Sequence, residues 1–158
     1  MKRVRSLHKQ QGAEVVEFAL TAVLLFILLF GMIEFSVALY DKAVLTNASR
    51  EGARTGILFR PQPRNASEAN SFKCNESQQG EDEDVRSAVC GYAEQYLISL
   101  GGPAELAISV VRSDANMPPG NEVEVTVDYS YQFLLLPGFI GTLGDLIEIQ
   151  AVTSMRAE

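Results

Sequence analysis

A single histidine in this 158-residue chain limits the acid–base and nucleophilic chemistry open to it. Its one histidine is His8, close to the N-terminus. A Ser-His or Cys-His pair and an imidazole metal site all require a histidine beside the reacting group. We therefore expect no enzymatic activity in the body of the chain, no catalytic residues, and no bound cofactor or metal ion.

Four consecutive acids, Glu81-Asp82-Glu83-Asp84, are the clearest place to look for a cation site. A calcium-binding loop alternates its ligands with other residues and needs a glycine at its turn. This run lacks that spacing and that glycine. We expect the acids to favour instead the positive N-terminal end of a following helix, predicted at 84–100.

Two further carboxylates, Glu17 and Glu34, bracket an apolar segment. Residues 18–33 carry no charge, and the run 18–40 is interrupted by Glu34 alone. At 1.5 Å per residue, a helix over 18–40 spans about 34 Å, enough for the ~30 Å hydrocarbon core of a bilayer. The segment therefore predicts a transmembrane helix at about 18–40, in contact with membrane lipid.

Three interpretations of this N-terminal region are open. In the first, the region is an uncleaved signal anchor. In the second, it is a signal peptide cut after Ala38. Either would make the chain a secreted or membrane-anchored periplasmic binding module without a pilus role. Against the signal peptide, Glu14 and Glu17 intrude at its start, and the apolar run exceeds the usual 7–15 residues. The third interpretation places the cut before the apolar run, after Gly12.

Gly12 is followed by four variable residues and then Glu17-Phe18. This pattern resembles the processing motif of type IV prepilins. In that system a membrane peptidase cuts after the glycine, and the apolar helix stays on the mature protein. The resemblance thus implies cleavage between Gly12 and Ala13, with Glu17 and Phe18 completing the motif and residues 1–12 forming a basic leader peptide.

The resemblance extends along the chain. The sequence looks like the TadE/TadG-like minor pseudopilins of the bacterial tight-adherence (Tad, or Flp) pilus. Besides the apolar run itself, the matching pieces are VEFAL at 16–20, FGMIEF at 30–35, Tyr40, LTNASREGAR at 45–54, YSYQFLLLPGFIG at 129–141 and VTSMRAE at 152–158.

This family implies a minor pseudopilin, which is a substrate of the peptidase and not an enzyme. It implies a pilin-like fold and a role in the assembly of a type IVc pilus and in adherence. The implied partners are the prepilin peptidase, the major pilin, sister pseudopilins and the inner-membrane assembly platform. The chain would cross the inner membrane once, with a cytoplasmic N-terminus and an extracytoplasmic C-terminal domain, or enter the pilus.

Glu17 gains a partner under this interpretation. Cleavage creates an α-amine at Ala13, with a reference pKa of about 7.7–8.0. That cation can pair with Glu17 one helical turn on, or with Glu17 of a neighbouring copy, and such a pair specifies register more reliably than it adds stability. Glu34 is a second candidate for a polar contact within the membrane, the alternative being a place at the outer interface.

Charge and cysteines bear on partners and compartment. The net charge is −7, and removal of the basic leader makes the body more acidic still, which argues against nucleic acid. The two cysteines are Cys74 and Cys90. A disulfide between them would contribute about 3 kcal/mol in the chain-entropy model and would favour an oxidising, extracytoplasmic space. The alternative is two free thiols.

The pattern after Tyr40 predicts that the N-terminal helix continues to about residue 58, with its first half in the membrane. Ala48, Gly52 and Gly56 form a stripe of small residues, which permits close packing on another helix or on the helix's own domain. The polar residues 60–84 predict a loop.

After the loop, the spacing of the apolar residues indicates one more helix and then strands. The helix 84–100 has an amphipathic stripe, and alternation predicts strands near 106–111, 123–133 and 146–156. The predicted fold is α+β, with a long N-terminal helix and a second helix packed on a small antiparallel three-stranded meander. The domains are the leader 1–12, the helix 13–58 and an extracytoplasmic domain 59–158. The apolar stretch 134–144 either folds over the core or contacts a subunit or the membrane.

Overall fold

The computed structural model describes residues 8–58, 60–61, 64, 66–99, 105–133 and 146–157. Its elements in chain order are the helix α1 (His8–Gly56), the strand β1 (Ala69–Lys73), the helix α2 (Glu81–Tyr96) and the strands β2 (Leu106–Arg112), β3 (Glu122–Gln132) and β4 (Leu146–Arg156). The predicted α+β class is confirmed. Residues 1–7 and the stretch 134–144 lie outside the described residues, so what was predicted for them stays a prediction.

The helix α1 is continuous over 49 residues, a length of about 73 Å. No side chain over residues 12–33 is buried, and the most apolar part of the helix makes no core contact. Within the described part of the chain, α1 is the one helix long and apolar enough to cross a membrane. It is thus a candidate single span, consistent with membrane anchoring. From Glu34 onward, one face of α1 packs against the rest of the chain.

The sheet has four antiparallel strands in the order β1-β2-β3-β4, one strand more than the sequence predicted. The additional strand, β1, lies within the segment 60–84, which the sequence predicts to be a loop. Its sequence ANSFK has one large apolar residue, Phe72, which is the buried one. So short and polar a strand shows no alternation of apolar and polar residues. It is defined by its pairing with β2, in which Phe72 lies opposite Ile108, a contact between residues distant in sequence.

The second helix begins and ends earlier than the predicted 84–100. Its first turn contains all four acids, where the helix dipole and the unpaired backbone N–H groups favour negative charge. At its other end Leu97 adopts an extended backbone, with φ −71° and ψ 133°. The apolar periodicity of the sequence therefore continues past the last helical residue, Tyr96.

The three long strands follow the predicted alternation. In β3 the odd-numbered side chains from Val123 to Tyr131 are buried, and those between them are partly or fully exposed. The last strand occupies Leu146–Arg156, as predicted. The buried faces of β2, β3 and β4 meet α1 and α2, so the core lies between one helical layer and one face of a meander.

The small residues of α1 let the helix approach its own domain. A Cβ atom on Gly52 would lie 2.5 Å from Val89 Cγ2 of α2 and 3.4 Å from Val125 Cγ1 of β3. A Cβ atom on Gly56 would lie 3.1 Å from Val123 Cγ1. The sequence left open whether the small residues Ala48, Gly52 and Gly56 pack on another helix or on the helix's own domain. The structure shows that they pack on the domain.

Gly52→Ala should destabilise the domain, although alanine has the higher helix propensity. The propensity gain is about 1 kcal/mol, whereas forcing a methyl group against the stiff side chain of Val89 costs about 1–3 kcal/mol. The net loss should be on the order of 1 kcal/mol. Thermal unfolding of the full chain in detergent, followed by circular dichroism, measures it.

The matched control is Gly91→Ala in α2, where an added Cβ meets nothing within 4 Å. This substitution should raise the unfolding midpoint, because only the propensity term acts. Shifts of the same sign in both variants would contradict the close approach at Gly52.

Candidate processing and assembly site

The residues of the processing motif lie together at the exposed start of α1. Gly12, Ala13, Glu17 and Phe18 are all exposed, Phe18 to 74%. A Cβ atom built on Gly12 would meet nothing within 4 Å. Among the described residues, none outside α1 covers the bond between Gly12 and Ala13. It lies within the helix that starts at His8, and the glycine weakens that helix by about 1 kcal/mol where a peptidase would have to unwind it.

Ala13 and Glu17 stand one helical turn apart on the same face of α1. Four residues of helix rise by about 6 Å, within reach of a glutamate side chain that folds back toward the N-terminus. The hydroxyl of Thr21 donates to the backbone carbonyl oxygen of Glu17 at 2.9 Å, which satisfies a polar group inside the apolar run. The geometry permits the intrachain pair, and the pair itself stays a prediction.

Glu34 marks the point at which the exposed part of α1 ends. Its side chain is fully buried, and Tyr131 of β3 donates a hydrogen bond from its hydroxyl to the Glu34 backbone carbonyl at 3.5 Å. The carboxylate thus lies on the face of α1 that the chain's own sheet covers. The stretch from Ala13 to Ile33 is about 32 Å long, close to the ~30 Å core of a bilayer. A membrane role for Glu34 stays a prediction.

Asp41 forms a second buried carboxyl two turns further along α1, and the sequence reasoning missed it. Its Oδ1 accepts a hydrogen bond from the backbone N–H of Ile98 at 3.1 Å, just beyond the end of α2. Its Oδ2 has no partner in the described part of the chain. Burial raises the pKa of Asp41 above the usual aspartate range, opposed by the Ile98 bond.

Two tyrosines of β3 face these carboxylates. Burial, together with the charges of Glu34 and Asp41, raises the pKa of Tyr131 to about 12, and burial and Asp41 also raise the pKa of Tyr129. These four residues, Glu34, Asp41, Tyr129 and Tyr131, join the helix to the sheet. The signal in the sequence was a carboxyl at the end of the apolar run together with aromatic residues on the buried face of a predicted strand.

The disulfide predicted as one of two alternatives is present. Cys74 and Cys90 are bonded, with their Cα atoms 5.7 Å apart, and neither is a free thiol. The bond joins the turn after β1 to the middle of α2. Arg86 donates to the backbone carbonyl of Cys74 at 2.6 Å, a second tie between the same two elements.

Each acid of the run 81–84 pairs with an arginine. The pairs are Glu81–Arg64, Asp82–Arg112, Glu83–Arg86 and Asp84–Arg60. The Asp82–Arg112 pair, at 2.6 Å, is almost wholly buried and connects α2 to β2. The hydrogen bond from Arg86 and one from the Gln78 backbone N–H lower the pKa of Glu83 to about 2. The run anchors α2, and no group of three metal-ligating side chains occurs among the described residues.

Residues 12–54 match the family model described as TadE-like protein. Over these residues the chain is similar to that family, and we call residues 12–54 the TadE-like segment. The resemblance inferred from the sequence is thereby confirmed over these residues. Comparisons with curated proteins and with solved structures found no match.

The TadE-like segment begins at Gly12, the residue after which cleavage is predicted. It continues through the exposed run and Glu34 to Arg54, in the last turn of α1. It therefore combines the predicted cleavage site, the candidate membrane span and the surface on which the sheet packs. The strands and α2 lie outside it.

The stability of the chain should carry a pH dependence that Asp41→Asn removes. The raised pKa means that the folded chain binds this proton more tightly than the unfolded chain. The contribution to the free energy of unfolding is therefore present below about pH 4 and is lost as the pH rises through the folded-state pKa. Asparagine keeps an acceptor for the Ile98 N–H but cannot ionise.

Unfolding midpoints of the two proteins, measured from acidic to neutral pH, test this. The variant should gain stability relative to the original chain as the pH rises. A difference that stays constant with pH would show that Asp41 does not ionise at a cost in the folded state.

Proposed function

We propose that this protein is a minor pseudopilin of a Tad-type (type IVc) pilus, made as a precursor that a prepilin peptidase cuts after Gly12. The observation that carries the proposal is the TadE-like match, which starts at Gly12 and runs along an exposed apolar helix. The protein supports pilus assembly and adherence. It acts as a peptidase substrate and an assembly component, and not as an enzyme.

The proposed topology places the leader in the cytoplasm and the folded domain outside it. The Cys74–Cys90 disulfide supports this orientation, because structural disulfides persist in oxidising compartments such as the periplasm. The mature chain is held in the inner membrane by α1, and its partners are the major pilin, sister pseudopilins and the assembly platform.

Packing favours the cut at Gly12 over a signal-peptide cut after Ala38. Val37 and Ala38 are partly buried and pack against the core of the domain. A cut between Ala38 and Leu39 would remove Glu34 and the turn of helix to which Tyr131 is bound. A cut after Gly12 removes none of the described core residues, because the first described buried residue of α1 is Glu34.

In the mature protein the α-amine of Ala13 would be the only full positive charge near the start of the apolar run. Glu17 is the acid one turn away, and an ionised carboxylate at the edge of hydrocarbon gains from a cationic partner. Pairing with Glu17 of a neighbouring copy would align two pilin-like helices in one register. Recruitment into an assembly is thus coupled to cleavage, since the amine exists only afterwards.

The mature protein from the native host's membranes should begin at Ala13. Intact-mass spectrometry with N-terminal peptide mapping measures this, and Gly12→Leu should retain the leader because a bulky side chain replaces the residue beside the cut. A mature start at Leu39 would support a signal peptidase instead. A start at Met1 would support an uncleaved anchor, and either result would overturn the proposed processing.

Glu17→Ala should leave membrane insertion intact and abolish or strongly reduce piliation, because the Ala13 amine loses its partner. Glu14→Ala is the matched control, since it removes a neighbouring carboxylate at one of the variable positions of the motif. Membrane fractionation reports insertion, and electron microscopy with an adherence assay reports piliation. Normal piliation in Glu17→Ala cells would remove the assembly role from this residue.

A further inference from the structure

After Ile33, exposed large apolar side chains are concentrated at one end of the folded domain. Five of them, between 41% and 61% exposed, lie at the end nearest the run, and we call them the proximal face: Phe35, Leu39, Tyr40, Ile98 and Ile147. Large apolar side chains exposed elsewhere on the domain, such as Leu58, Val111 and Val152, occur singly. Isolated exposed residues are normal on a protein surface, whereas a cluster indicates a contact.

Three contacts place this face at one level along α1. Ile147 lies opposite Tyr131 in the sheet, and the Tyr131 hydroxyl bonds the Glu34 carbonyl. The backbone N–H of Ile98 bonds Asp41. The face therefore spans the turns of α1 from Glu34 to Asp41, a rise of about 10 Å.

No linker separates this level from the apolar run, because α1 is continuous. The exposed stretch from Ala13 to Ile33 is about 32 Å long, enough to cross the hydrocarbon core of a bilayer without the turns that follow. Because the domain packs on α1 from Glu34 onward, we place the span over this stretch, nearer the N-terminus than the 18–40 predicted from the sequence. The next turns of helix then lie in the headgroup layer, which adds about 5–8 Å on each side of that core. A domain that packs on α1 from Glu34 onward must approach this layer.

We propose that the proximal face rests in the headgroup layer of the same bilayer that α1 crosses, which gives the domain an interfacial lipid contact of its own. This inference depends on the membrane anchoring in the proposed function. Aromatic residues such as Tyr40 are typical of membrane interfaces, and apolar side chains at this depth are partly removed from water. The contact fixes the tilt and rotation of the domain relative to the membrane.

The charges around the face favour zwitterionic lipid. The nearest described cation on α1, Lys42, donates to the backbone carbonyl of Gln150 and is engaged within the chain. The carboxylates of Asp128 and Glu148 lie on the outer surface of the sheet beside Gln150. These acids repel anionic headgroups, so the contact rests on apolar burial and not on a phosphate-binding site.

Tryptophan fluorescence tests this contact directly, because the chain contains no tryptophan. Single-tryptophan variants of the full chain are placed in phosphatidylcholine vesicles that contain two brominated lipids, one labelled near the headgroup end of its acyl chains and one near the chain ends, so that both depths of the bilayer are probed. Ile147→Trp probes the proximal face and Leu25→Trp probes the anchor. Val111→Trp is the matched control, an exposed apolar position about 24 Å further along the sheet from Tyr131.

The expected result is that brominated lipid quenches most of the emission of Leu25→Trp and Ile147→Trp but not that of Val111→Trp. Acrylamide in the aqueous phase should quench them in the reverse order. Circular dichroism confirms that each variant is folded, and Ile98→Trp replaces Ile147→Trp if that variant is not, since only the backbone of Ile98 bonds Asp41.

Failure of this inference and failure of the proposed anchoring give different results. If brominated lipid quenches Leu25→Trp but leaves Ile147→Trp open to acrylamide, the face stands clear of the membrane and the inference is overturned alone. If Ile147→Trp is protected from both quenchers, a protein covers the face and the lipid contact is again overturned. If Leu25→Trp is not quenched, α1 is not an anchor and both proposals fall.

Discussion

The close packing of α1 on its own domain is the contact on which the rest of the molecule depends. Gly52 and Gly56 leave room for Val89, Val125 and Val123 to reach the helix backbone. The helix α1 is continuous from the exposed stretch before Glu34 into the core. The packing of the domain on α1 therefore starts at Glu34 with no linker between, and in the proposed membrane arrangement the length of the exposed stretch before Glu34 sets the distance between domain and bilayer.

Polar interactions hold α2 and the edge of the sheet in place relative to α1 and the core. The acids of the first turn of α2 pair with arginines, and the Cys74–Cys90 bond joins the helix to the turn after β1. Arg112 is almost completely buried, and its Nε and Nη2 have no partner among the described residues. Buried ion pairs that are incompletely satisfied add little stability, and their main effect is to specify one arrangement of the elements.

This arrangement suits the proposed role of a precursor that is cut and then positioned in an assembly. The predicted cleavage motif lies at the far end of an exposed helix, where no part of the described domain obstructs it. The folded domain lies at the other end and is joined rigidly to the same helix. The amine that the proposed cut would create at Ala13 is connected to the domain through one continuous helix, and the proposed lipid contact of the proximal face would add a second fixed point at the membrane.

Composition and local period determined the apolar helix, the strands near 106–111, 123–133 and 146–156, and the resemblance at Gly12 and Glu17-Phe18, because these signals come from neighbours in the chain. The tertiary structure alone decided the rest. The strand Ala69–Lys73 exists only through pairing with β2, and the ends of α2 are set by its arginine partners and the extended Leu97. The choice between bonded and free cysteines, and the burial of Glu34 and Asp41 under Tyr131 and Tyr129, depend on contacts between residues distant in sequence, which no local pattern encodes.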